Sequence, residues 1–288
     1  MTHFLRTGIV FIGIFCCFPR TQAQFDDWRE QTRLLIYAPR YFGPNAFPLP
    51  ELHSGKVAER CETELRGDYH VAAGDRTKDV YARFFMPVAG GRAGLEVSGV
   101  IREDYVTTDE TKEERHAVEN RPPIPCYGDV IISSFYQVLK SDKWCDLMLG
   151  SHLKTASGGR LCDARYTDAA TYWFDLTAGR DLLRSADRLA FLRVQGMAGF
   201  YCWMTNDPVH RQNDAALYGV GLGAGYRNVL LTCDYSGFDG YRNLGDHAVA
   251  LRCKLNCEYR KNILSLRFLH GMKDYLFNTY SVAYIRRF

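Results

Sequence analysis

Side chains able to make and break bonds are sparse in this sequence, and their spacing works against them. Nucleophilic catalysis needs a hydroxyl or thiol within hydrogen-bond reach of a base that a third group orients. Ser151 and His152 are neighbours, so on an extended chain they point to opposite faces. His270 has no serine at a matching position. His210, near Asn206, Asp207 and Asn213, is the remaining base candidate, and it reads more simply as a solvated loop histidine. No His or carboxylate cluster shows metal-ligand spacing in the sequence. Cys253 and Cys257 lie on one face of an extended segment, about 13 Å apart at the usual strand rise, too far to bond to each other. The glycines at 219, 221, 223 and 225 alternate strictly and no helix follows them, so they are not a phosphate loop. The sequence predicts no catalytic residue, no metal site and no cofactor. A net charge of +3 with interleaved signs also excludes a nucleic-acid partner.

The chemistry must therefore come from how larger elements array their charges. From Glu64 onward the chain divides into twelve alternating segments: 64–72, 79–88, 95–106, 129–140, 145–155, 172–181, 189–204, 215–226, 229–238, 247–257, 263–271 and 278–288. Their connections are short and long in turn. Ala89 to Gly94, Ser141 to Trp144, Leu182 to Arg188, Arg227-Asn228 and Glu258 to Asn262 are brief, whereas 107–128, 156–171, 205–214 and 239–246 are longer and polar. One parity of each segment is apolar and the other mixed. Tyr218, Val220, Leu222, Ala224 and Tyr226 alternate with Gly219, Gly221, Gly223, Gly225 and Arg227; Leu251, Cys253 and Leu255 alternate with Arg252, Lys254 and Asn256. No apolar run approaches the length of a spanning helix, but a closed barrel crosses a membrane with only alternate residues apolar. In a soluble barrel the apolar parity would fill the interior. A parity made of four glycines suits a lumen wall better than a soluble exterior.

The last strand ends the chain on an aromatic residue, with Phe288, Tyr284, Val282 and Tyr280 at apolar steps and Arg286 breaking the pattern. This ending resembles the C-terminal strand of Gram-negative outer-membrane β-barrels, which the barrel-insertion machinery recognises. Together with the loop asymmetry and the parity, it implies an all-β, antiparallel, up-and-down transmembrane barrel of about 12 strands over residues 64–288, porin-like in architecture. Its partners on this reading are outer-membrane lipid and the insertion machinery.

The parity then places charges in the lumen. Arg66, Arg83, Arg252, Lys254, Arg267 and Arg287 form an expected basic cluster on strands that become neighbours when the barrel closes. Asp68, Glu96, Asp146 and Asp175 are the acidic members, and Arg102, Asp104, His152 and Lys154 also fall on this parity. An asymmetric wall would favour anionic solutes in a narrow pore; alternatively, the charges neutralise each other, since buried charges need partners. The functional reading is a narrow passive channel for small, anion-favoured solutes. The alternatives are a closed barrel displaying its loops, and, for want of a triad, more remotely a lipid-modifying hydrolase.

Residues 1–23 read as a cleaved secretory signal, with an apolar stretch from Gly8 to Phe18 and Thr21-Gln-Ala23 at the cleavage site. Residues 24–63 are rich in proline and aromatics, unsuited to a central strand and too apolar for a free linker. We expect either a plug folded back into the lumen, with Tyr41, Phe42, Pro44 and Phe47 against the glycine face, or packing at the periplasmic rim; both termini are expected on the periplasmic side. Most cysteines read as small apolar fillers, with Cys126 and Cys162, in adjacent loops, a candidate disulfide pair, while loop 107–128, with Pro122 and Pro123, is open to either an inward or an outward course.

Overall fold

The computed structural model describes residues 32–118, 124–187 and 189–288. The expected signal, residues 24–31 of the extension and the Pro122-Pro123 step lie outside these.

The alternating segments form β1 (Glu62–Ala72), β2 (Asp75–Val88), β3 (Ala93–Thr107), β4 (Ile124–Cys126), β5 (Val130–Leu139), β6 (Asp146–Lys154), β7 (Thr171–Arg184), β8 (Ala190–Met204), β9 (Gln212–Tyr226), β10 (Val229–Gly240), β11 (His247–Tyr259), β12 (Asn262–Lys273) and β13 (Asn278–Arg287). Of the 13 strands, β4 is a three-residue addition beside the end of β3. The others pair antiparallel in chain order. β13 returns to β1, from Arg287 opposite Glu62 to Asn278 opposite Val71, and closes the sheet. Closure leaves no sheet edge, so backbone groups of the wall are satisfied without water.

Short turns gather at one end of the barrel together with Phe288, and the longer loops at the other. The two tightest, Arg227-Asn228 and Arg260-Lys261, place Arg227 and Arg260 at φ 54° and 57°, the left-handed backbone that two-residue hairpins require. At the long-loop end, the loop between β3 and β5 carries helix α1 (Asp109–Arg115), capped by the Thr108 side chain. One connection there is shorter than expected. β2 begins at Asp75, not 79, because Arg76 and Lys78 belong to the exposed parity of a strand and not to a polar loop. The turn Ala73-Gly74 holds Gly74 at φ 74°, where a Cβ would also come 2.0 Å from Thr111 Oγ1, so glycine is required.

Apolar residues stand outward. Leu65, Val80, Leu149, Val220, Leu266 and Val282 are each 40–63% exposed, a continuous belt far wider than the apolar patches of soluble proteins. Tyr280, Val282, Tyr284 and Phe288 share this outer face. Arg102 and Asp104, expected inside, also point outward and pair with each other at 2.9 Å. The cause is a β-bulge: Val80 faces Arg102 but Tyr81 faces Val100, so Ile101 is an extra residue that reverses the parity beyond it.

The candidate disulfide is corrected. Cys126 and Cys162 are not joined: Cys126 turns inward, its Sγ 3.8 Å from Glu103 Oε1. The bridge instead links Cys233 to Cys253, directly opposite each other on the outward parity of β10 and β11.

Residues 32–61 form a strap through the interior. Asn206, in the β8–β9 loop, donates to the carbonyls of Thr32 and Leu35, and the Arg40 N–H donates to Gly245 in the β10–β11 loop. Farther along, Ser236 donates to Pro50, Arg193 to Ser54 and Gln137 to Gly55. At the short-turn end Lys140 meets Glu59, and the Phe288 N–H donates to Cys61. The described part of the strap thus runs from the long-loop end, at Thr32, to the end that holds Phe288, at Cys61. A wall of this many strands encloses more room than its own side chains fill, and the strap supplies the missing core. Phe42 and Phe47 are buried, Phe47 packing edge-on against Trp203 while Tyr201 stacks on Phe238 at 4.3 Å. Burial of each such ring stabilises by about 2–3 kcal/mol. Contrary to expectation, the aromatic part does not lie on the glycine row; Leu52 does, where a Cβ on Gly221 would approach its Cδ2 to 2.7 Å.

Candidate functional site in the lumen

The strap leaves a cavity of about 210 Å³, bounded by Pro48, Glu51 and His53 on one side and by Arg66, Tyr81, Glu96, Arg252 and Arg267 of the wall on the other. All six expected basic residues point inward, but they do not make a basic wall. Arg83 meets Glu62, Glu64 and Glu96 at 2.8–3.0 Å, and Arg267 meets Glu64 at 2.7 Å. Arg66 pairs with Asp68, Arg287 with Glu62 and Glu258, and Lys254 with Glu51 of the strap. Arg252 lies 3.5 Å from Asp234. The acids interleave with the bases because they share the parity of the same strands, so the neutralised alternative describes the lumen and the ground for anion preference is removed. Asp146 pairs with Arg193 at 2.6 Å.

The long-loop end holds a lock that sequence reasoning missed. Arg165, from the β6–β7 loop, is fully buried and bridges Asp75 at 2.7 Å and Glu103 at 2.8 Å. Arg115 of α1 reaches the same Asp75 at 2.6 Å, turning that loop inward, and Tyr166 donates to Glu103. No sequence signal separates Arg165 from other loop arginines; only the inward fold of its loop does.

Two chains of hydroxyl, imidazole and carboxylate cross the wall. In the first, His152 bonds Ser133 Oγ through Nδ1 at 2.8 Å and Asp175 through Nε2 at 2.9 Å. These are the parts of a nucleophile, a base and an orienting acid, assembled from β5, β6 and β7, and Ser133 had not been a candidate. Acyl transfer further needs donors aimed at the developing oxyanion. The strand backbone here is consumed by ladders on both sides, and the nearby Lys154 is held by Asp129 at 2.6 Å. Ser133, His152 and both oxygens of Asp175 thus form a polar ladder in which each has a partner. In the second chain, His70 bonds Thr279 Oγ1 through Nδ1 at 2.7 Å and Asp79 Oδ2 through Nε2 at 2.8 Å.

His210 fares as its loop setting suggests. It is exposed, and Asp207, 3.3 Å from its Nδ1, is committed to the loop backbone. The N–H groups of Val209 and His210 together with Arg242 hold the Asp207 carboxyl well below the usual carboxylate range.

No family model and no curated protein matches the sequence. Among solved structures, an outer membrane channel from Pseudomonas putida F1 superposes with a TM-score of 0.50 at 13% identity, over 85% of this chain and 98% of that one. The KdgM porin gives a TM-score of 0.48 at 10% identity, over 78% of this chain and 99% of that one. At such identities the likeness speaks to the fold alone. With its closed antiparallel wall, outward apolar belt and polar interior, the chain has the fold of the outer-membrane β-barrels.

Proposed function

We propose that the protein is a narrow outer-membrane channel for small solutes whose lumen is gated by the strap. The observation that carries this reading is the polar cavity that residues 44–53 of the strap leave beside the wall, lined by Arg66, Tyr81, Glu96, Arg252 and Arg267 and reaching Ser133 and His152. The latch on that side is the ion pair between Glu51 and Lys254 at 2.8 Å, with Arg252 against the Pro50 carbonyl. Because the wall charges are paired, the path discriminates weakly between anions and cations. The chain reaches the membrane through its leader, and residues 280–288 serve as the signal to the insertion machinery.

A second reading, a closed barrel that presents its loops for binding, is favoured by the Arg165 lock across the long-loop end. Single-channel recording of refolded protein in planar bilayers separates the two. Glu51→Lys sets the strap against Lys254, Arg252 and Arg267 and should raise conductance several-fold. Adding Lys254→Glu restores a pair of reversed polarity and should bring it back. Silence from all three forms, with heat-modifiable gel migration showing that each is folded, would leave the closed barrel standing.

A further inference from the structure

Across the lumen face of three adjacent strands, three carboxylates stand in one row. Asp79 on β2 is directly opposite Asp68 on β1 and directly opposite Glu103 on β3. Like charges in register on one face repel, and burial strengthens the repulsion. The outer two are compensated: Arg66 holds Asp68 at 2.8 Å and Arg165 holds Glu103 at 2.8 Å. The middle one is not. Asp79 is 5% exposed, and among the described residues no Lys or Arg pairs with it. Its Oδ2 accepts from Asn45 at 2.7 Å and bonds His70, while its Oδ1 is buried with no hydrogen-bond partner. A carboxylate oxygen left in this state is costly, and the surplus negative charge beside it is what a bound cation would neutralise.

We propose that Asp68, His70 and Asp79 bind a divalent first-row transition-metal ion of the Zn²⁺ type. Each offers one donor atom, and the three lie within 4.8 Å of one another. One imidazole nitrogen and two carboxylates suit Zn²⁺ and its neighbours. An all-oxygen set would suit Ca²⁺ or Mg²⁺, and sulfur would suit Cu(I). The residues are on rigid, paired strands beside a two-residue turn, so the donors are positioned before the ion arrives. Asn45 of the strap and Arg66 supply the outer contacts that orient Asp79 and Asp68. Asp68 and His70 both line the lumen cavity, which gives the ion its way in. The site stands whether or not the barrel conducts.

The sequence carried a partial signal for it. Asp68-x-His70 places an acid and an imidazole on one face of one strand, but the third ligand comes from the register with β2.

The test uses refolded mature protein stripped with a chelator, its folding checked by heat-modifiable gel migration, and titrated calorimetrically with Zn²⁺ and optically with Co²⁺. The expected result is one equivalent bound, visible d–d bands with Co²⁺, and affinity lowered at least about tenfold by Asp79→Asn and by His70→Ala. His152→Ala, in the other ladder, should bind as the parent does. Asp79→Asn is nearly isosteric and keeps the test open if His70→Ala fails to fold. Binding unchanged by Asp79→Asn, or no uptake by the parent above that of the variants, overturns the proposal.

Discussion

The two histidine ladders of the lumen are built from the same parts and end differently. In the Ser133, His152, Asp175 chain both carboxylate oxygens are used, Oδ2 by His152 and Oδ1 by Thr177 at 2.8 Å. Asp175 has glycine as its register partner on each side, Gly150 on β6 and Gly199 on β8. A Cβ on Gly150 would lie 2.5 Å from Asp175 Oδ2 and 2.7 Å from His152 Nε2, so glycine is what lets that bond form. The imidazole also stacks on Trp173 at 4.7 Å and 6°. In the Thr279, His70, Asp79 chain the register partners are Asp68 and Glu103, and one oxygen of Asp79 is orphaned. The comparison teaches that a buried carboxylate beside a histidine is by itself uninformative. Its lateral neighbours decide whether it is a closed structural unit or one short of a cation.

The largest expected effect is on the closed ladder. His152→Ala removes a stacked ring and a charge-assisted bond and strands Asp175 in the lumen wall. Unfolding of the barrel from detergent or lipid by denaturant should show a loss of about 3–5 kcal/mol. A loss near zero would break the view of this ladder as structural. Next comes Zn²⁺ itself. At a free concentration about a hundredfold above its dissociation constant it should stabilise the parent by about 2.7 kcal/mol, stabilise His152→Ala equally, and stabilise Asp79→Asn, with its affinity at least about tenfold lower, by no more than about 1.4 kcal/mol. Equal stabilisation of all three would mean the ion binds elsewhere.

Smaller again is Asp175→Asn, expected to cost about 1–3 kcal/mol. The amide keeps one acceptor and turns the other into a donor facing either His152 or the Thr177 hydroxyl, so one of two satisfied bonds is lost. The same denaturant midpoint measures it, and a stabilised variant would mean that Asp175 is not the fixed acceptor described above.

What the sequence made legible, and what it hid, follows from which interactions are local. Alternation is local, so strand count, the alternation of short and long connections, and the lumen parity of Arg66, Asp68, Asp175 and Arg252 were readable from residues two apart. Register is not local. The row of Asp68, Asp79 and Glu103 depends on the turn at Ala73-Gly74, read from sequence as a longer connection, and on the bulge at Ile101, which no alternation announces. Pairing in the lumen was hidden for the same reason: Arg165 and Glu103 are brought together by a loop folding inward. The extension was recognisable as something packed from its prolines and rings. Its direction through the barrel is set by contacts with Asn206, Gly245 and Lys140 that are far away in the chain.

The smallest expected effect separates the two ladders most sharply, because it changes sign. In metal-free protein Asp79→Asn deletes the central charge of a three-carboxylate row. The new amide oxygen takes the place of Oδ2 and still accepts from Asn45 and from His70. The amide nitrogen takes the place of the orphaned Oδ1, where a donor among carboxylates is better suited than an acceptor without a partner. The variant should therefore be as stable as the parent or up to about 1 kcal/mol more stable, whereas Asp175→Asn is destabilised by the same chemical change. With Zn²⁺ present the order at position 79 reverses, since the parent gains more from the ion. If Asp79→Asn and Asp175→Asn lose stability alike in chelator, then Asp79 is an ordinary ladder carboxylate and the difference drawn between the two walls is wrong.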